Sequence, residues 1–484
     1  MIFVVPVTPA TERVQGFADT PTRVGSDEFL IGTEVFDADV GQRHKITAVP
    51  LSDDLDVAAF EIERFRVFAD GAKIVVHSAD GDRLHPIPQN LYFRGRVAGK
   101  LDSNVVMTVL EGGLVRGLVS LSGRYWVFSG DSINKALPST IRIREIDPVV
   151  ELEHDVQDFE CITDKLPIPP PPIFANGIES RDVSIQKAAG YTARIAVETD
   201  NEFFNKFGNT TDATDYVADI IAYGSSLYSA EVNTSWVLQH LSLWPSGETD
   251  PWSQTSPNCG FLEFGRYWND NRSYITRTIA HFMSGKSTNA GIAWLGVLCY
   301  PEFQVSQSCP GLLPADDNYG GGYGYSGGLD GNFDINNPGV VWDIVAVTHE
   351  IGHNFNSPHT HCYASLEGNA NQIDQCYSGE VSPPFSCHSG SMSLPSGCPG
   401  AGKGCGTIMS YCHAQSGGIS NISLTLGQGH PYGIEPGRVP SRMSAYVSSR
   451  ASSNPGCLDY VDVGSIFSDD FESGNTNAWS ITTP

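Results

Sequence analysis

Positive charge is scarce in this chain of 484 residues: 29 Lys plus Arg stand against 55 Asp plus Glu, a formal net charge of −26. The shortage deepens along the chain, with 10 basic and 27 acidic residues after position 190. Such a surface repels a phosphate backbone and an anionic bilayer alike, so neither nucleic acid nor membrane is expected as a partner. Its plainest effect is solubility. Long apolar runs are missing as well: nothing approaches the roughly 18 residues that a spanning helix requires. The opening MIFVVPV lacks the basic region, the full apolar stretch and the small-residue cleavage site of a signal peptide.

Cysteine is nearly absent from the first 190 residues, where only Cys161 occurs. The other ten are Cys259, Cys299, Cys309, Cys362, Cys376, Cys387, Cys398, Cys405, Cys412 and Cys457. Ten thiols can form five disulfides, which implies an oxidising compartment and hence secretion. A structural zinc site is the competing use of clustered cysteine, but no C-x-x-C pair is present.

The 50 glycines and 30 prolines imply many turns, and the length implies two folded domains. Residues 1–160 read as short, roughly alternating strands (RHKITAVPL, AFEIERFRVF, AKIVVHS, NVVMTVL, YWVFS), which suits a sandwich-like or barrel-like β domain. Residues 161–190 form a linker marked by LPIPPPPI, whose prolines favour an extended spacer. Residues 191–460 alternate strand and helix patterns, the signature of an α/β layer. Strands are expected at TARIAVET, WVLQHLSLW and GIAWLGVLC. Helices are expected at 212–230, at SYITRTIAHFMSG and at about 338–355, followed by an irregular, disulfide-stapled part. Residues 461–484 read as a disordered tail.

Chemistry concentrates in THEIGHNFNSPHTHC, Thr348–Cys362. Asn337 can cap a helix with Pro338 in its first turn. On that helix His349 and His353, four residues apart, project from one face, and Glu350 can reach a water held by a metal between them. Asn356 tolerates the left-handed turn that stops the helix, and Pro358 keeps it from resuming. His359 can then fold back as third ligand, with His361 as its nearest rival. Three histidines leave zinc the open position that hydrolysis needs. Asp330, Asn332, Asp334 and Asn336 alternate like a calcium loop but lack its glycine and closing glutamate, which favours a polar turn over Ca2+.

HEIGHNFNSPH resembles the metzincin metalloproteases, H-E-x-x-H-x-x-G-x-x-H, with Asn356 in place of the usual glycine. GTIMSYC resembles their Met-turn, with Met409 as the apolar floor of the site. Within that group the chain is most similar to the reprolysins (adamalysins): HEIGHNF matches their helix and GIAWLGVLC their substrate-binding edge strand. NLYFRGRVAGKLDSNVVMTVLEGGLVRGLVSLSGRYWVF is similar to their propeptide. The resemblance implies a mixed-sheet α/β (α+β) catalytic domain behind a mostly β propeptide, and a zinc endopeptidase of proteins and peptides made as a latent precursor. It implies His349, His353 and His359 as ligands and Glu350 as general base. It makes Tyr411, two residues after Met409, a candidate fifth ligand or oxyanion stabiliser beside its plain reading as packing. It makes the odd Cys161 a candidate cysteine switch, the alternative being a disulfide to a downstream cysteine. The tail FSDDFESGNTNAWS resembles a C-terminal motif of proteins exported by some Gram-negative bacteria. The rival reading is a non-catalytic adhesion protein stabilised by zinc, which would have no use for Glu350.

Overall fold

Exposed and buried residues alternate along Arg43–Val49, the period of two that gives a strand one wet face and one dry. Ten such segments open the fold: β1 (Glu28–Ile31), β2 (Arg43–Val49), β3 (Ala58–Phe65), β4 (Phe68–Val76), β5 (Arg83–His85), β6 (Leu91–Val97), β7 (Ser103–Val109), β8 (Leu114–Leu121), β9 (Arg124–Asp131) and β10 (Ser139–Ile146). The structure, a computed structural model, describes residues 26–51, 58–100, 102–131, 137–146, 159–171, 190–309, 313–336 and 338–458. Eight strands pair antiparallel in the order β1-β10-β9-β8-β7-β6-β3-β2. The end strands β1 and β2 approach one another, so the sheet curls around Phe29, Phe60, Phe93, Trp126 and Phe128. Of the two shapes the strand pattern allows, the barrel-like one is found.

The second sheet is mixed, in the order β11-β15-β18-β14-β12-β13-β4-β5. Its members are β11 (Glu160–Cys161), β12 (Tyr191–Thr199), β13 (Thr234–Leu243), β14 (Ile279–Met283), β15 (Ala290–Ala293) and β18 (Tyr323–Ser326), together with β4 and β5. A small ladder of β16 (Phe303–Val305) and β17 (Asp317–Gly320) stands apart. Strands β4 and β5 leave the N-terminal barrel, and β4 lies parallel to β13, so the two parts of the chain share a sheet. At the opposite edge β11 pairs in parallel with β15.

Five helices pack on these strands: α1 (Asn201–Asn205), α2 (Thr210–Val232), α3 (Pro257–Asn271), α4 (Val340–Asn354) and α5 (Arg438–Ser453). Asn209 caps α2 by accepting from the Asp212 N–H, and Asn233 ends it in the left-handed conformation. The stretch SYITRTIAHFMSG is not a helix. Its core Ile279–Met283 is a fully buried central strand, flanked by β12 and β18. A continuous apolar run of this length is ambiguous between the two states, and burial between two parallel neighbours decides it. The neighbouring helix is α3, where Ser256 caps and Pro257 occupies the first turn.

All ten cysteines after residue 190 are paired, as 259–309, 299–457, 362–387, 376–412 and 398–405. Cys161 is free and buried. The 299–457 bridge brings the end of the described chain to the start of β12, where the Thr192 N–H donates to the Leu458 carbonyl at 3.0 Å. No helix among the described residues is long and apolar enough to cross a membrane. Most of the 161–190 linker and all of the 461–484 tail lie outside the described residues.

Candidate metal centre

Helix α4 is buried along its whole length, and its N-cap Gly339 makes no side-chain bond. Asn337, the expected cap, lies outside the described residues. After Asn354 the chain reverses at Asn356, whose φ of 73° is the left-handed turn expected there. The Asn356 N–H donates to the His353 carbonyl at 2.8 Å, and the Arg442 guanidinium holds the Asn356 carbonyl at 2.7 Å. His359, just beyond Pro358, is thereby returned to the face of α4 that carries His349 and His353.

The Nε2 atoms of His353 and His359 each lie 3.2 Å from that of His349. Every outer nitrogen is engaged. His349 Nδ1 donates to the Ile408 carbonyl at 2.7 Å, and His353 Nδ1 to the Ser357 carbonyl at 2.7 Å. His359 Nδ1 meets Glu380 Oε2 at 2.6 Å. With the ring protons spent outward, three Nε2 lone pairs face one another with nothing to share. That arrangement repels itself unless a cation sits among the nitrogens. Tetrahedral zinc with bonds of 2.0–2.1 Å requires nitrogens about 3.3 Å apart, so the donor set fits. Burial favours the neutral form of two of the rings, pushing His349 well below its ordinary range and His353 down to about 3.

A fourth donor is present. Cys161 Sγ lies 3.3 Å from His353 Nε2, and its sulfur and the three Nε2 atoms are all within 4.8 Å of one another. The Cys161 segment is laid in place by its ladder to β15 and by Tyr411. The Tyr411 hydroxyl accepts from the Cys161 N–H at 3.1 Å and donates to its carbonyl at 2.7 Å. Thr163 Oγ1 accepts from the Ala293 N–H, fastening the next turn.

Glu350 is completely buried. Its Oε2 is 3.6 Å from Cys161 Sγ, and its Oε1 has no partner. Burial drives both the Glu350 carboxyl and the Cys161 thiol well above their ordinary values, and a dication among the imidazoles would act in the opposite sense. Met409 is buried under α4, with its sulfur where a Cβ on Gly352 would have to be. Its carbonyl accepts from the Thr360 N–H at 3.0 Å, so the loop carrying Met409 braces both His349 and the segment after His359. A cavity of about 290 Å³ opens beside the centre, lined by Leu166, Leu295, His353, His359 and Phe385 among others.

The residue missed in the sequence is Glu380. It accepts from His359 Nδ1 and, at 2.8 Å, from His361 Nε2. Burial opposes its charge, but the two imidazoles hold its carboxyl well below the usual range. His361 therefore stands behind His359, stacked on it at 5.4 Å, rather than among the converging nitrogens. The Asp330–Asn336 loop closes on itself, with Asp334 accepting from the Asn336 N–H. Among the described residues, no cluster of three or more His, Cys, Asp or Glu donors gathers there.

Fold and site define a class, a disulfide-stabilised α/β protein with three buried histidines that converge as a candidate metal site. Residues 189–423 match the family model Reprolysin_5, Metallo-peptidase family M12. Over these residues the chain is similar to the reprolysin-like metallopeptidases of family M12, a family that implies a zinc cofactor. No curated protein sequence matches the chain significantly. Among solved structures, metalloproteinase-II from Bacteroides fragilis aligns at 9% identity over 68% of this chain and 84% of its own, with a TM-score of 0.33. A chaperone–substrate complex aligns at 12% identity over 40% and 31%, with a TM-score of 0.24. Neither likeness is strong enough to define the fold.

Proposed function

We propose that this protein is a secreted, zinc-dependent endopeptidase held latent by its own Cys161 segment. The observation that carries the reading is the convergence of three deprotonated Nε2 atoms and one thiol on a single point beside a buried carboxylate. His349, His353 and His359 would hold the ion. Zinc, when bound there, supplies a Lewis acid that activates water and polarises a peptide carbonyl.

Glu350 has the role of proton carrier. Its unpartnered Oε1 can take the proton of the attacking water and return it to the departing amine. Strand β15 offers an extended peptide a ladder of backbone hydrogen bonds once β11 is gone, and the wall of the neighbouring cavity that stays behind, with Leu295, Pro358 and Phe385, can receive a side chain. The Tyr411 hydroxyl, released from Cys161, would be free to hydrogen-bond to substrate. While Cys161 Sγ occupies the fourth donor position no water can, which makes residues 1–160 and the following linker a propeptide in effect. The five disulfides support export to an oxidising compartment.

Casein hydrolysis by the linker-cleaved protein, measured with and without a zinc chelator and alongside metal analysis, tests the reading. Zinc near one equivalent and chelator-sensitive proteolysis are expected. Glu350→Ala should keep the metal and lose about 10²–10⁴-fold in turnover. A wild type without zinc would end the proposal, and an active Glu350→Ala would end the mechanism.

A further inference from the structure

We propose that the N-terminal barrel does not leave when the linker is cut. It remains as a tightly bound second chain, and only the short segment around Cys161 has to depart for the centre to open. The inference rests on the latency reading for Cys161, but the interface that carries it lies elsewhere.

Helix α2 is buried without a break from Ala213 to Tyr228. A helix with no wet face belongs to the interior, and here two layers provide that interior. One side packs on the metallopeptidase sheet, where Tyr228 meets Trp236 and Phe355. The other side is covered by the barrel strands β6 and β7. Val67, Ile74, Tyr92, Val106, Tyr125 and Ile146 of the N-terminal part belong to the same apolar core as α2, β12, β13 and α4.

Polar groups are matched across this surface. Asn90 Nδ2 donates to Asp215 Oδ1 at 2.7 Å and Thr108 Oγ1 to Asp219 Oδ1 at 2.6 Å. Arg116 pairs with Asp219 Oδ2 at 2.6 Å, and Ser226 Oγ donates to Asn104 Oδ1 at 2.7 Å. All of these groups but the partly exposed Arg116 are buried, so separation would expose both the Asp219 carboxylate and the apolar core to water at once. Strand β4 adds a second bond of another kind. It seals the edge of β13, with His77 N–H on the Leu243 carbonyl and Leu238 N–H on the Val67 carbonyl. Removal of the barrel would leave a raw sheet edge.

The Cys161 segment is a much smaller attachment. Its ladder to β15 is two residues long, and the Tyr411 hydroxyl, Thr163, the sulfur, a bond from Gln307 to the Lys165 carbonyl and the buried side chains of Phe159 and Ile162 supply the rest. It also remains covalently joined to β10 after any cut between residues 172 and 189. A single cut in the linker therefore leaves the inhibitory sulfur tethered to a docked barrel, and a second cut between β10 and Phe159 is what sets it free.

The test uses the full chain carrying Glu350→Ala, which prevents self-cleavage, with recognition sites for a site-specific protease inserted at 148–157 and 174–188. After cleavage at both sites, gel filtration at about 1 µM separates bound from free fragments. The expected result is co-elution of the barrel and metallopeptidase fragments at about 1:1, with the Cys161 peptide lost. A barrel fragment in a peak of its own, beside a metallopeptidase fragment that keeps its circular dichroism, overturns the proposal. Arg116→Ala should raise the dissociation constant at least about tenfold, and an unchanged constant would overturn the assignment of the interface. The same double cut in a chain with Glu350 intact reports activity separately, so co-elution without proteolysis would count against the endopeptidase reading and leave the two-chain complex standing.

Discussion

Gly291 and Glu350 occupy each other's space: a Cβ on residue 291 would collide with Glu350 Oε1. Gly291 is the β15 residue opposite Cys161 in the β11 ladder, so the general-base candidate, strand β15 and the Cys161 thiol meet at one point. The smallness of residue 291 is what lets a buried carboxylate stand between the strand and the metal centre.

Gly291→Ala should therefore displace the Glu350 carboxylate without disturbing the three imidazoles. Turnover of casein is expected to fall by about 10²–10⁴-fold, as for loss of a general base, with zinc content unchanged. Near-normal turnover in this variant would mean that Glu350 does not act from the position seen here.

Cys161→Ala in the uncleaved chain separates ligation by sulfur from blockage by the backbone. If sulfur is what denies water its place, the variant precursor should cleave a small fluorogenic peptide about tenfold or more faster than the wild-type precursor. Equal latency would show that the β11 ladder and the Tyr411 clamp suffice.

Glu380→Ala should weaken zinc binding by about 10–100-fold, read by competition with a chelator of known affinity. Glu380→Gln should recover most of that loss, because an amide oxygen still accepts from His359 Nδ1. An unaltered affinity in the alanine variant would reduce Glu380 to packing.

Stability should peak in mildly acidic solution. His240 and His281, remote from the centre, are each pushed down to about 3 from 6.5 by burial. The stability they contribute is complete above pH 6.5 and is lost as pH falls toward 3. Glu198 and Glu231 run the other way, raised by burial from 4.5 to about 7. Their contribution is complete below pH 4.5 and is lost as pH rises through 7. Melting temperatures of the zinc-loaded protein between pH 4 and 8.5 should pass through a maximum at about 5–6.5. Glu231→Gln should flatten the alkaline side, and a melting temperature that climbs steadily to pH 8 would contradict the assignment.

The part of the centre that depends on local spacing was legible in the sequence. His349 and His353 share a helix face because they are four apart, and Asn356 followed by Pro358 marks the turn that returns His359. Glu380 was not legible, because its partners lie 21 and 19 residues back across a loop shaped by disulfides rather than by any periodic pattern. Long-range pairing also hid the exchange of β4 and β5 into the second sheet: strand AKIVVHS was readable, its partner β13 was not. Ile279–Met283 reads as helix in the sequence because a run buried on both faces shows no alternation, and only its neighbours reveal its state. Cys161 stood out by arithmetic alone, as the eleventh of eleven cysteines, while the Tyr411 clamp on its backbone could come only from coordinates.

The hydrogen bond between Thr192 and Leu458 closes the metallopeptidase part into a ring, its first strand and its last described residue side by side. Whatever is attached before β12 or after Leu458 issues from that one place. A circular permutant that joins these neighbours through a short glycine linker, with new termini in the exposed Ser246–Gly247 turn, should consequently keep the centre intact.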